Sequence, residues 1–330
     1  MTRGAKRLGE FELIAKYFAP LARKLPGAFG LKDDAAVFEP RPGHDIVLTT
    51  DAIVSGVHFF ADDPAATIAQ KALRVNISDL AAKGATPRVY LLTFAMTSAI
   101  DEPWLKSFAA GLKRDQRRFG ITLVGGDTVA TPGSLTISIT AIGEVPRGKM
   151  LTRGGARAGD DIWVTGTIGD AALGLKVARG DDLGLNDKLR AAVLTRFRIP
   201  EPRFKLGVGL VGAAHACLDV SDGLVADLGH MSDVSGVGIE FQAGTVPLSA
   251  AASSALAARR TTLSELLTGG DDYELAVAAP AAVRKQLLAL ASQTKTKFTR
   301  IGRAVRGGGV MAFDENGGQV RFPRPGFTHF

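Results

Sequence analysis

Cysteine is nearly absent: Cys217 is the single thiol among 330 residues, so no internal disulfide can form and a reducing cytoplasm is expected. Two Trp and three Tyr leave little material for a base-stacking platform. One Cys and five dispersed His offer no zinc-ligand spacing. No apolar run approaches the roughly 18 residues that a membrane span needs. The basic start, Met1 to Arg7, has no apolar stretch behind it, so neither a signal peptide nor an anchor is expected. The formal charge of +7 comes from scattered Lys and Arg rather than a dense basic block. It is read as solubility plus a mild pull on small anions, with no nucleic-acid partner. No Gly-x-Ser-x-Gly nucleophile elbow is present.

What is present is a soluble globular composition, 46% hydrophobic and 22% charged, over a length that suggests about two domains. Periodicity predicts helices over 10–24, 64–83, 103–119, 187–196, 202–214 and 280–291, with further helices opening at Asp170 and after Gly223. Strands are predicted over 45–50, 54–60, 89–96, 121–124, 134–145 and 161–165, with others at Cys217, from Tyr273 and in the tail beyond Phe298. Strands and helices alternate in both halves, so each half is a layered α/β or α+β unit. Pro146-Arg147-Gly148-Lys149 is the best boundary, giving domains 1–145 and 146–330. Two nucleotide-loop patterns fail on context. Gly143 to Met150 puts Met150 where a phosphate loop needs Ser or Thr, and Gly207-Val-Gly209-Leu-Val-Gly212 lies inside a predicted helix instead of opening one.

The informative stretch is Thr49-Thr50-Asp51, expected where a buried strand ends, with His58 following. Asp34, Asp79, Asp127, Asp219, Asp222, Asp271 and Asp272 share its grammar, most of them beside Gly or Ser or at the end of an apolar run. Any one of them alone reads as a cap or a turn residue. Carboxylates converging from separate strand ends would repel one another unless cations hold them, and hard divalent ions with oxygen ligands suit them. Magnesium bridging phosphates points to phosphoryl transfer. Thr49 and Thr50 can add oxygen ligands, and Arg153 in its Gly-rich setting is the candidate phosphate clamp.

As a group these motifs resemble the thiamine-monophosphate kinases, of the superfamily that includes aminoimidazole ribonucleotide synthetase and selenophosphate synthetase. The matching stretches are Gly9-Glu10-Phe11-Glu12-Leu13-Ile14, Asp33-Asp34-Ala35-Ala36, Thr50-Asp51-Ala52, Gly56-Val57-His58-Phe59, Lys71-Ala72-Leu73 and Asn76-Ile77-Ser78-Asp79-Leu80-Ala81-Ala82. They continue through Gly125-Gly126-Asp127-Thr128, Leu151-Thr152-Arg153, Val164-Thr165-Gly166-Thr167, Asp219-Val220-Ser221-Asp222-Gly223-Leu224, Gly270-Asp271-Asp272-Tyr273-Glu274-Leu275 and the closing His329-Phe330.

The resemblance implies a two-domain fold like that of aminoimidazole ribonucleotide synthetase, dimerising through the first domain. It implies ATP-dependent transfer of the γ-phosphate onto thiamine monophosphate by direct in-line attack. By the same resemblance, Asp34, Thr49, Thr50, Asp51, Asp79, Asp127, Asp219 and Asp222 hold magnesium ions. Gly126, Asp127, Arg153 and Ser221 contact ATP, while His58, Asp271 and Phe327 contact the thiamine side. Lys32, Val129, Asp271 and Phe327 depart from the family pattern, so the substrate side is less closely matched than the metal side. The alternatives are another ATP-using member of the superfamily or a catalytically silent nucleotide binder. Selenophosphate synthesis wants a Cys near the N-terminus and the hydrogenase-maturation relatives want one at the C-terminus, whereas this chain has Cys217 alone.

Overall fold

The computed structural model describes residues 9–327; the basic start Met1 to Arg7 and the closing Thr328-His329-Phe330 lie outside the described residues. The chain forms two compact units, Met1–Asn76 with Pro87–Glu144, and Ile77–Thr86 with Val145–Phe330.

The first unit is built on a four-stranded sheet of β1 (His44–Val54), β2 (Thr86–Met96), β3 (Thr122–Ala130) and β4 (Thr136–Pro146), in the order β1-β4-β2-β3. One face is packed by the helices Ala65–Ala82 and Glu102–Phe119. Phe94 of β2 stacks on Trp104 and Phe108 with ring centroids 5.9 and 5.0 Å apart, the parallel geometry that buries most aromatic area. The two helices are tied by a buried, bidentate pair in which Arg74 donates to both Asp115 oxygens at 2.6 and 2.9 Å. The predicted first helix is a broken run, Glu10–Leu13 and Ala19–Ala22, with a π-turn over Ile14–Phe18 between them.

Two expectations about the strands are corrected here. Asp51 does not end a strand; β1 runs three residues past it to Val54, so Thr49 and Asp51 alternate with Thr50 across the sheet. The strand expected over 54–60 is absent: beyond Val54 the chain makes a tight turn. Gly56 takes φ 85°, and His58 Nδ1 captures the Val54 N–H that a ladder would have used. Gly125-Gly126-Asp127-Thr128 is likewise inside β3, where Leu92 pairs with Gly126 and Thr93 with Asp127. Gly126 has φ 155°, and a Cβ there would lie 1.9 Å from the Leu92 carbonyl oxygen, so no other residue fits.

The second unit contains a seven-stranded sheet, β11-β10-β7-β9-β5-β8-β6. Its strands are β5 (Asp160–Thr165), β6 (Ala216–Val220), β7 (Gly238–Gln242), β8 (Glu274–Pro280), β9 (Phe298–Val305), β10 (Val310–Phe313) and β11 (Gln319–Val320). Alternation splits its core in two. Ile162, Val164, Leu218 and Val220 pack with Leu224, Leu228 and Met231 of helix Leu224–Ser235. Trp163, Cys217, Leu275 and Val277 pack with Leu206, Leu210 and Leu287 on the other face. Gly207, in the second decoy pattern, lets its helix approach Ala81, whose carbonyl oxygen would lie 2.0 Å from an added Cβ. Cys217 is wholly buried, and burial pushes its thiol up to about 12. Among the described residues no helix is long and apolar enough to cross a membrane.

Candidate phosphoryl-transfer site

Strand alternation divides the predicted residues of the first unit into two groups. Asp34, Gly126 and Asp127 line one cavity of about 920 Å³, floored by Phe18, Leu92 and Leu123 and edged by Thr93 and Thr140. Thr50 belongs to this open face. Its hydroxyl donates to the Ile139 carbonyl at 3.2 Å and accepts from Thr140 Oγ1 at 3.1 Å, which leaves one lone pair outward. Asp33 Oδ1 accepts from the Asp34 N–H at 2.8 Å, fixing the turn that carries the second carboxylate.

Thr49 and Asp51 lie on the opposite, helix-packed face of β1, half-buried. The Asp51 N–H donates to Asn76 Oδ1 at 3.1 Å, and the Asn76 amide is anchored in turn on the Ala72 carbonyl. The motif residue Asn76 therefore positions Asp51. The imidazole of His58 is turned by its own neighbour, since Nδ1 accepts from the Val54 N–H at 3.0 Å and the ring proton of the neutral form then sits on Nε2. Lys71, buried at 2% exposure, donates to the His58 carbonyl at 2.8 Å and ties the turn to helix Ala65–Ala82.

In the second unit, burial pushes the Asp219 carboxyl up to about 8, helped by the negative charges of Asp79 and Asp227, while Ser78 and Lys83 pull it down. Asp79 and Asp219 thus stand within electrostatic reach of one another. Arg153 is exposed on an irregular segment that is pinned to β6, where the Cys217 N–H donates to the Thr152 carbonyl at 2.9 Å.

Beyond β6, the chain makes a hub. Val220 and Ser221 carbonyls accept from the N–H groups of Tyr273 and Asp271, both at 2.8 Å, and the Asp222 carbonyl accepts from Phe327 N–H at 2.9 Å. Ser221 and Asp222 are thereby joined through backbone bonds to Asp271 and Phe327, the residues expected on the acceptor side. Asp271 and Tyr273 both take left-handed φ values, 69° and 51°, which non-glycine residues adopt only when their surroundings impose them.

Three buried carboxylates anchor the chain around this loop; Asp272 was already among the candidate acids of the sequence, whereas Asp227 and Glu274 were not in that set. Asp227 Oδ2 accepts from the N–H groups of Ser221, Asp222 and Gly223 at 3.1, 3.1 and 3.2 Å. Burial first and the Asp222 charge second push its carboxyl up to about 7 against those bonds. Asp272 caps the start of helix Asp170–Ala178 through Gly169 and Ala171 N–H groups at 2.7 and 3.2 Å, with burial pushing its carboxyl up to about 8. Glu274, fully buried, accepts from Thr165, Arg196 and Arg203 at 2.5–2.9 Å. Asp227 had a legible signal, an acid in the first turn of a helix that starts with Gly. Asp222, Asp227 and His230 also bring potential ligand atoms within 4.8 Å of one another.

The family model described as AIR synthase related protein, N-terminal domain, matches residues 32–145, and its C-terminal counterpart matches residues 157–314. A thiamine-monophosphate kinase of Caulobacter vibrioides is 41% identical over 97% of this chain and 90% of its own length. The crystal structure of thiamine-monophosphate kinase from Stenotrophomonas maltophilia K279a is 40% identical, with TM-score 0.77 over 85% of this chain and 89% of that one. AaThiL complexed with AMPPCP and TMP is 29% identical, with TM-score 0.78 over all of both chains. On this likeness, which spans both units, the chain belongs to the thiamine-monophosphate kinase family, within the AIR synthase related proteins.

Proposed function

We propose that the protein phosphorylates thiamine monophosphate with ATP, giving thiamine diphosphate and ADP. The observation that carries this reading is the hub in which Ser221 and Asp222 are bonded through their carbonyls to the Asp271 loop and to Phe327. One rigid element thereby presents a nucleotide-side hydroxyl and carboxylate together with the acceptor-side residues. The solved relative carrying AMPPCP and TMP supports the same pair of ligands.

The proposed magnesium ligands are Asp34, Thr49, Thr50, Asp51 and Asp127 in the first unit and Asp79, Asp219 and Asp222 in the second. The donor set fits that ion: every member is a carboxylate or a hydroxyl, and a divalent cation relieves the like charge of Asp79 that, after burial, lifts the Asp219 carboxyl. Magnesium, when bound, neutralises phosphate charge and favours in-line transfer. Thr50 contributes from the open face, with Asp127, through its remaining lone pair. Gly126, Asp127, Arg153 and Ser221 are the proposed ATP contacts, and the apolar floor beside Asp127 suits a flat ring. His58, whose Nδ1 accepts from the Val54 N–H, is the proposed contact on the acceptor side, with Asp271 and Phe327 completing it. The attacking group is already an anionic phosphate oxygen, so no side chain has to serve as general base.

Residues 1–145 and 146–330 are read as the two domains. Ile46, Leu48, Leu91 and Val129 expose apolar surface on the first unit, Leu48 as much as 65%, and we read them as part of a homodimer interface. A cytoplasmic location fits the lone thiol. The purified protein should convert thiamine monophosphate and ATP to thiamine diphosphate only with a divalent metal, and should leave thiamine itself unphosphorylated. Absence of turnover by folded protein under those conditions overturns the reading.

A further inference from the structure

Helix Leu224–Ser235 starts at Gly223, which supplies no side-chain cap, so its first N–H groups need another partner. The N–H groups of Ser221, Asp222 and Gly223 also point the same way, to one place. Such a convergence of amides at a helix start is the geometry by which many proteins hold a phosphate. Here the chain fills it itself. The Asp227 side chain, 4% exposed, folds back over its own first turn, and a single oxygen, Oδ2, accepts all three bonds at 3.1–3.2 Å.

The direction of the bonding in this loop is consistent throughout. Its N–H groups turn inward to Asp227, and its carbonyls turn outward to Asp271, Tyr273 and Phe327. Gly223 makes the turn possible: it has φ 120°, and a Cβ there would lie 2.7 Å from the Thr268 carbonyl oxygen. With the amides held, the Ser221 and Asp222 side chains keep a fixed bearing relative to the acceptor-side loop. With the amides filled, phosphate oxygens cannot be taken by the bare backbone of this turn.

We propose that Asp227 is a positioning residue that occupies an internal anion hole, setting Ser221 and Asp222 against Asp271 and Phe327 and barring phosphate from those amides. This rests on the kinase reading for its kinetic consequences but not for the anion hole itself. The test uses the full chain as wild type, Asp227→Asn and Asp227→Ala, with circular dichroism to establish folding. Asp227→Asn keeps an acceptor oxygen, so its kcat/KM should remain within roughly tenfold of wild type. Asp227→Ala leaves the amides empty and should lose on the order of 100-fold, the scale of a misplacement near 1 Å. In Asp227→Ala alone, millimolar formate should restore part of the activity, and formate or inorganic phosphate should raise the melting temperature. A general packing defect would respond to neither anion. Melting with formate and with phosphate needs no turnover, so it judges the anion hole even if thiamine monophosphate is not the acceptor. Asp227→Ala that is folded, as active as wild type and indifferent to both anions overturns the proposal. If Asp227→Ala does not fold, Asp227→Asn decides: near-wild-type kcat/KM supports the acceptor role, and a loss of 100-fold or more overturns it.

Discussion

Asp219→Asn should stabilise the metal-free protein while disabling it. Burial and the charge of Asp79 hold the Asp219 carboxyl at about 8 in the folded state, against about 3.9 for an Asp in an unfolded chain. Between those values the folded protein keeps a proton that the unfolded chain has lost. The stability linked to this group is therefore complete below about pH 4 and disappears as pH rises through about 8. At 1.36 kcal/mol per pK unit the full shift sets a ceiling of roughly 6 kcal/mol. Water at the half-buried residue and relaxation of Asp79 bring the expected effect to about 2 kcal/mol. The amide cannot ionise, so it avoids that loss. With a urea m value of roughly 3 kcal/mol/M, the Asn variant should unfold about 0.7 M later than wild type at pH 8.5 in chelator, and the gap should shrink at pH 5. Asp227 and Asp272, lifted in the same direction, are present in both proteins. Added magnesium should raise the wild-type midpoint more than that of the variant, and kinase activity should fall on the order of 100-fold. A variant less stable than wild type at pH 8.5 without divalent metal would refute the reasoning.

Three further outcomes are expected. Glu274→Gln removes the buried carboxylate between Arg196 and Arg203 and should cost about 3 kcal/mol in urea unfolding, with an unchanged midpoint counting against it. His58→Ala should raise KM for thiamine monophosphate while leaving ATP binding by calorimetry within about threefold, since His58 is proposed on the acceptor side and its ring holds the turn after β1; equal losses for both substrates would sink the assignment. Leu48→Lys should convert the proposed dimer to a monomer in sedimentation without lowering the melting temperature by more than a few degrees, because that side chain is 65% exposed in the single chain; a sedimentation profile unchanged from wild type would remove Leu48 from the proposed interface.

Much of the architecture was legible because apolar periodicity is local. Helices Ala65–Ala82 and Glu102–Phe119 and strands β2 and β5 fall within a few residues of their predicted bounds. The errors arose where tertiary bonds override local pattern. His58 takes the Val54 N–H and turns an alternating stretch into a loop, and β1 continues through Asp51 because its neighbour β4 continues alongside. β7 was missed, since Gly236 and Gly238 punctuate it as a turn would, yet Gly238 and Ile239 pair with Val305 and Ala304. For the candidate site, the exposed or half-buried acids stood out as motifs. Of the acids that hold the backbone, Asp272 stood in that set and Asp227 did not: a sequence records that Asp227 is an acid near a helix start, but not that its oxygen reaches back across three consecutive amides.

Cys217 lies in β6, two residues before Asp219, with no exposed surface and a thiol held far from its ionised form. A thiol reagent can reach it only when that strand leaves the sheet, so labelling speed becomes a clock for the opening of the second unit. Because the chain has no other cysteine, the clock carries no background. Slower labelling with nucleotide or divalent metal would then convert ligand occupancy into an opening free energy, in the unmodified protein and at concentrations where calorimetry has no signal.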